Sequence, residues 1–142
     1  MKSQPKILIV DDDNDLLTSY KDYFHKQGFT VDIAHYGDLG LEKLRDQDFQ
    51  VALIDFQMPK MNGIEMIKIA KHEEIDTKMV ILSSEGEGDR NDVIAAVNLG
   101  VSAWFDKSSS MMEELLKTVK ELSDFMSFDE LDRFISSLPE QN

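Results

Sequence analysis

Five short apolar runs, each followed by a stretch with helical periodicity, constrain this chain more than any other feature. The runs are Lys6 to Val10, Phe29 to Ala34, Val51 to Ile54, Met79 to Leu82 and Ala103 to Phe105. Ile7 to Val10 and Val51 to Ile54 are apolar at every position, which suits central strands covered on both faces. Phe29 to Ile33 alternates apolar and polar residues, as a strand near an edge can. Strand and helix alternate five times, which predicts an α/β fold built on a parallel sheet with right-handed crossovers.

Spacing marks the helices. Leu16, Leu17, Tyr20 and Phe24 follow a cap at Asp13-Asn14, and Gly28 offers a stop. Leu39, Leu41 and Leu44 mark the second helix, and Ile64, Ile67 and Ala70 the third. Val93, Ile94, Ala96 and Val97 mark the fourth, ended by Gly100. Met112, Leu115, Leu116, Val119 and Leu122 mark the fifth. Residues 123–142 exceed this pattern. Ser127 to Glu130 reads as a capping box, and Leu131, Phe134, Ile135 and Leu138 follow at helical spacing before Pro139. A sixth, short helix is expected, with its apolar face packed on its own domain. The alternative is contact with a second copy or a partner.

Composition narrows the function. A chain of 142 residues has room for one domain, and 42% hydrophobic residues can fill its core. A net charge of -13 argues against a nucleic-acid surface and against docking on an anionic membrane. The absence of cysteine removes disulfides, thiolate catalysis and cysteine metal sites. His25, His35 and His72 are too widely spaced to suggest zinc. The start is short and polar, and no apolar stretch could span a bilayer, so no signal peptide and a cytoplasmic location are expected.

In parallel sheets, binding groups collect beyond the C-terminal ends of the strands. That rule selects Asp11 and Asp12 after the first strand, Asp55 after the third, Ser83 and Ser84 after the fourth, and Lys107 after the fifth. Three carboxylates brought together repel one another, and a divalent cation removes the penalty. An oxygen-only site with open positions suits Mg²⁺, which keeps waters and binds phosphate oxygens. Lys107 can place a positive charge on a phosphoryl oxygen, Ser83 can donate a hydroxyl, and Asp55 can be the nucleophile. Taken singly, each has a plainer reading as a turn, a cap or a solvated charge. Asp11, Asp13 and Asp15 have the spacing that opens a calcium loop. That loop needs Gly and Glu where this chain has Leu16 and Asp22.

Together these residues resemble the receiver domains of bacterial response regulators. The run Ile7 to Asp13 resembles the family's opening, and Val51 to Gly63 its phosphoacceptor strand and Met-Pro loop. Met79 to Glu85 is similar to the strand bearing the hydroxyl, and Asn98 to Lys107 to the segment bearing the lysine. The resemblance covers about Lys6 to Leu122, so residues 1–122 are expected to form the receiver domain and 123–142 a C-terminal extension. It implies a flavodoxin-like doubly wound sheet of five parallel strands in the order 2-1-3-4-5, a fold that the chemotaxis receiver illustrates. It also implies that Asp55 accepts phosphate from a histidine kinase or phosphotransfer protein. Asp12 would bind Mg²⁺ directly, Asp11 mostly through water, and the backbone carbonyl of Gln57 would complete the ligands. Ser83 and Lys107 would bind phosphoryl oxygens. The fourth helix, fifth strand and fifth helix would form the switch surface, with Ser83 and Trp104 coupling phosphate to it.

Some positions depart from the family pattern. Ser108 stands where proline is usual, Trp104 where Tyr or Phe is usual, and Ser84 where Ala is common. Gln57 and Glu85 take the variable positions that tune phosphate lifetime. The expected function is a signalling switch without an attached output domain, rather than an enzyme. It would catalyse only its own phosphorylation and slow self-dephosphorylation. A receiver-like interaction module that never uses phosphate is the second reading. A hydrolase with an aspartyl-phosphate intermediate is the third, disfavoured because Gln57 sits where that class has a general-acid carboxylate. A homodimer through the C-terminal extension is a further possibility.

Overall fold

The computed structural model describes residues 4–124 and 128–139. Its elements, in chain order, are β1 (Lys6–Val10), α1 (Asn14–Lys26), β2 (Thr30–Ala34), α2 (Gly37–Asp46), β3 (Val51–Asp55) and α3 (Gly63–His72). There follow β4 (Lys78–Ser83), α4 (Arg90–Asn98), β5 (Ala103–Asp106), a 3-10 turn at Ser109–Met111, α5 (Met112–Ser123) and α6 (Phe128–Ser137). The strands form one sheet in the order β2-β1-β3-β4-β5, and every pair is parallel.

The continuous apolar runs become the central strands because both of their faces are covered. Leu8, Val10, Ala52, Ile54, Met79 and Ile81 pack with α2, α3 and Ala96 of α4. Ile7, Ile9, Val51, Leu53, Val80 and Leu82 face the other way and pack with Leu17 and Phe24 of α1 and Leu115 and Val119 of α5. The alternating run becomes β2 at the sheet edge, with Thr30 exposed. β1 matches its apolar run, and the other strands differ from theirs by a residue at one end or both, so β3 takes in Asp55 and β4 takes in Ser83.

Local chemistry sets the helix ends. The Asp13 carboxylate accepts from the N–H groups of Asp15 and Leu16, which caps α1. Asn62 with Glu65 and Asp89 with Asp92 form capping boxes for α3 and α4. Gly28, at φ +96°, lets the chain leave α1 in the left-handed region.

The helix expected from Val93, Ile94, Ala96 and Val97 forms as α4, and of its residues only Ala96 is buried. Val93 (43% exposed), Ile94 (48%) and Val97 (68%) face outward, because 93, 94 and 97 share one side of the helix and a small alanine meets the sheet on the other. One expectation needs correction: the apolar face of α6 does not pack on its own domain, since Leu131, Phe134, Ile135 and Leu138 are all at least 40% exposed. Leu17 and Phe24 of α1 and Leu115 and Val119 of α5 fill the core cluster on their face of the sheet, and among the described residues no α6 side chain belongs to either core cluster. Ser127, the first residue of the expected capping box, lies outside the described residues.

Among the described residues, no helix is long and apolar enough to cross a membrane. Leu53, in the central strand and fully buried, should be costly to truncate. Leu53→Ala is expected to lower unfolding free energy by about 2–5 kcal/mol in urea titration, whereas Leu131→Ala should change it by less than about 0.5 kcal/mol.

Candidate functional site

Strand order reverses at β1 and β3, and the two strands end side by side, with Val10 paired to Ile54. The next residues along each chain are therefore Asp11 and Asp55, brought together from distant sequence. Asp11, Asp12 and Asp55 each present a carboxylate oxygen, and the three oxygens lie within 4.8 Å of one another. Asp11 and Asp55 are buried and Asp12 is exposed. The Asp11 N–H donates to the Ala34 carbonyl, and its Oδ1 accepts from the Asp13 N–H at 2.9 Å. Its Oδ2 is buried without a well-directed hydrogen bond and meets the Lys107 ammonium at 2.7 Å. Lys107 Nζ also donates to Asp55 Oδ1 at 2.8 Å, so one cation bridges two carboxylates. Register with β4 puts it there, because the Lys107 N–H donates to the Ser83 carbonyl at 2.7 Å.

The loop after β3 folds back tightly. The Phe56 N–H donates to the Leu82 carbonyl, and the Gly63 N–H donates to the Phe56 carbonyl, each at 2.8 Å. A Cβ on Gly63 would lie 2.5 Å from the Asp55 carbonyl oxygen, so only glycine fits without moving the acidic strand end. Gln57 is exposed at the start of this loop.

Ser83 is fully buried at the end of β4. Its Oγ accepts from the Trp104 indole N–H at 2.8 Å and lies 3.4 Å from Asp106 Oδ1, to which it donates weakly. The Trp104 ring rests on Phe56, with centroids 5.1 Å apart and planes tilted by 38°. Gly88 covers the ring's other end; a Cβ there would lie 2.7 Å from Cζ2, and its φ of +81° also favours glycine. Ser84, grouped with the site by sequence position, is exposed, and its N–H donates to Glu87 instead. Asp106 is a site neighbour that sequence reading treated only as part of the lysine motif. The signal that finds it is the β4–β5 register, which pairs Ser83 with Asp106. No cis peptide bond occurs among the described residues, the Lys107–Ser108 bond included.

Burial pushes the Asp55 carboxyl up to about 7; the Lys107 hydrogen bond opposes this, and the Asp11 charge adds to it. Burial alone would lower the Lys107 ammonium, but its bonds to Asp11 and Asp55 outweigh that and hold it above the ordinary lysine value. Three carboxylates against one ammonium leave excess negative charge on oxygen donors alone. That donor set fits a hard divalent cation.

This electrostatic strain has a measurable sign. An acid raised on folding binds more protons folded than unfolded between its two pKa values, so stability falls as pH climbs through that window. For Asp55 the window runs from 3.8 to about 7. Asp55→Asn is therefore expected to be more stable than wild type at about pH 8 without metal, with the advantage fading toward about pH 4. Urea denaturation of both proteins across that range checks this. An advantage that grows on acidification would contradict the assignment.

Comparison with known proteins agrees with this geometry. The family model described as "Response regulator receiver domain" matches residues 7–120. The transcriptional regulatory protein CpxR of Escherichia coli (strain K12) is 34% identical over 102 residues. That match covers 72% of this chain and 42% of CpxR, so the chain spans less than half of that relative. The receiver domain of Francisella response regulator 1452 superposes with a TM-score of 0.75 at 28% identity, covering 84% of this chain and 97% of that one. The Thermotoga maritima response regulator TrrA, solved in complex with Mg(2+)-BeF, shares the fold at a TM-score of 0.74 and 24% identity, covering 84% of this chain and 99% of that one. With a parallel sheet in the order 2-1-3-4-5 and an acidic cluster at its switch point, the chain belongs to the response regulator receiver domain family.

Proposed function

We propose that this chain is a phospho-accepting switch of two-component signal transduction, working in the cytoplasm, with Asp55 as the phosphoacceptor. The observation that carries the reading is Lys107, held between Asp11 and Asp55 at 2.7 and 2.8 Å. A partly buried ammonium there is placed to follow charge from the carboxylate to an incoming phosphoryl group. An Asp55 oxygen attacks phosphorus, a new P–O bond forms, and the bond to the donor breaks. With a phosphohistidine donor, the imidazole nitrogen leaves with the electron pair and takes up a proton. Lys107 and Ser83 donate to the phosphoryl oxygens. Asp11, Asp12, Asp55 and the Gln57 backbone carbonyl would hold Mg²⁺, the ion named with TrrA. When bound, Mg²⁺ neutralises the carboxylates and the phosphoryl oxygens.

The donor is a histidine kinase or a phosphotransfer protein, and the output is contact with a protein target rather than nucleic acid or membrane. Residues 1–122 form the receiver unit and 123–142 an extension. The exposed apolar faces of α4 and α6 support a contact role, and a second copy is one occupant for α6.

Incubation with a small phosphodonor and Mg²⁺ should add the mass of one phosphoryl group to the intact protein, and Asp55→Asn should add none. Lys107→Ala should slow the reaction on the order of 10²-fold. An unmodified wild type would favour the phosphate-independent module instead. If α6 joins two copies, light scattering will find dimers of the full chain, and a chain ending at Asp124 will stay monomeric.

A further inference from the structure

Ser83 raises a question that its place in the site does not answer. Serine has no γ-methyl, so its side-chain rotamer is not set by shape as it is for β-branched residues. A fully buried serine hydroxyl meant to meet a phosphoryl group needs something else to aim it. Its partners are Trp104 Nε1 at 2.8 Å and Asp106 Oδ1 at 3.4 Å. An indole N–H only donates, and a hydroxyl has one proton and two lone pairs. The short bond therefore fixes where Oγ sits and uses a lone pair, while the proton is held only by the long bond to Asp106.

We propose that Trp104 is a positioning residue for Ser83: its indole N–H anchors Oγ and leaves the hydroxyl proton free to be handed from Asp106 to a phosphoryl oxygen on Asp55. The proposal rests on the phosphoacceptor reading of Asp55. The ring can serve as an anchor because it is itself held. Phe56, the residue after Asp55, lies under it, and the backbone at Gly88 closes over its edge. A phosphoryl oxygen carries more negative charge than a distant carboxylate oxygen can offer, so it wins the proton without breaking the indole bond. Phe or Ala at position 104 cannot make that bond. In this chain the aromatic residue thus acts on the hydroxyl through a directed hydrogen bond as well as through its volume.

Two measurements test this. Trp104 is the chain's only tryptophan, so ¹⁵N-labelled protein gives one indole N–H resonance. In the unphosphorylated, metal-free protein, Ser83→Ala should speed exchange of that proton with solvent by about tenfold or more. Unchanged exchange overturns the proposal. In the second, Trp104→Phe keeps an aromatic ring but loses the donor. It should slow phosphorylation by a small phosphodonor with Mg²⁺ about three- to tenfold in the wild-type background and not at all in the Ser83→Ala background. Equal slowing in both backgrounds would reduce Trp104 to ring packing and overturn the proposal while leaving the Asp55 reading intact. A wild type that gains no phosphoryl mass overturns that reading and this proposal with it.

Discussion

The structure depends on one arrangement: the Lys107 ammonium held between two buried carboxylates, Asp11 and Asp55. Burying those acids together is unfavourable, and the upward shift of Asp55 to about 7 expresses that cost. Replacing buried charge clusters with well-packed hydrophobic residues is often neutral or stabilising, so such a cluster is weak evidence of a stabilising role. The charge lies where β1 and β3 end side by side, at the point where strand order reverses. The rest of the sheet holds it there, with the apolar interiors of β1, β3 and β4 packed on both faces.

Small backbone features turn this charge cluster into a defined site. The Phe56 N–H ties the β3 exit to Leu82, and Gly63 lets α3 begin against the Asp55 carbonyl. The Lys107 N–H is tied to the Ser83 carbonyl, so hydroxyl and ammonium are set by the same β4–β5 register. Trp104 adds a side-chain tie to the same serine and reaches from there to the Gly88 turn ahead of α4. A change at Ser83 is thereby connected through packed groups to the helix whose Val93, Ile94 and Val97 face outward.

Much of this was legible in sequence. Runs such as Ile7 to Val10 read as central strands because they are short, rich in β-branched residues, apolar at every position and followed by helical stretches. Acids and a lysine just after such runs gather at one edge because parallel strands all end on the same side. Other features were not legible. Val93, Ile94 and Val97 carry the residue types of a core helix, and Leu131 to Leu138 the spacing of one, yet both faces are exposed. Periodicity says that a helix has an apolar side; it does not say whether a surface is left to receive it.

The sequence by itself determined the element order, the parallel sheet and the identity of the acidic residues, because these follow from hydrophobic period, capping chemistry and the common direction of the strands. Only the tertiary structure decided that the Trp104 indole meets the Ser83 hydroxyl, that Asp106 is its second partner, and that α4 and α6 keep apolar faces outside. These depend on the register between β4 and β5 and on which side chains the packed core takes in, and both are properties of several segments at once.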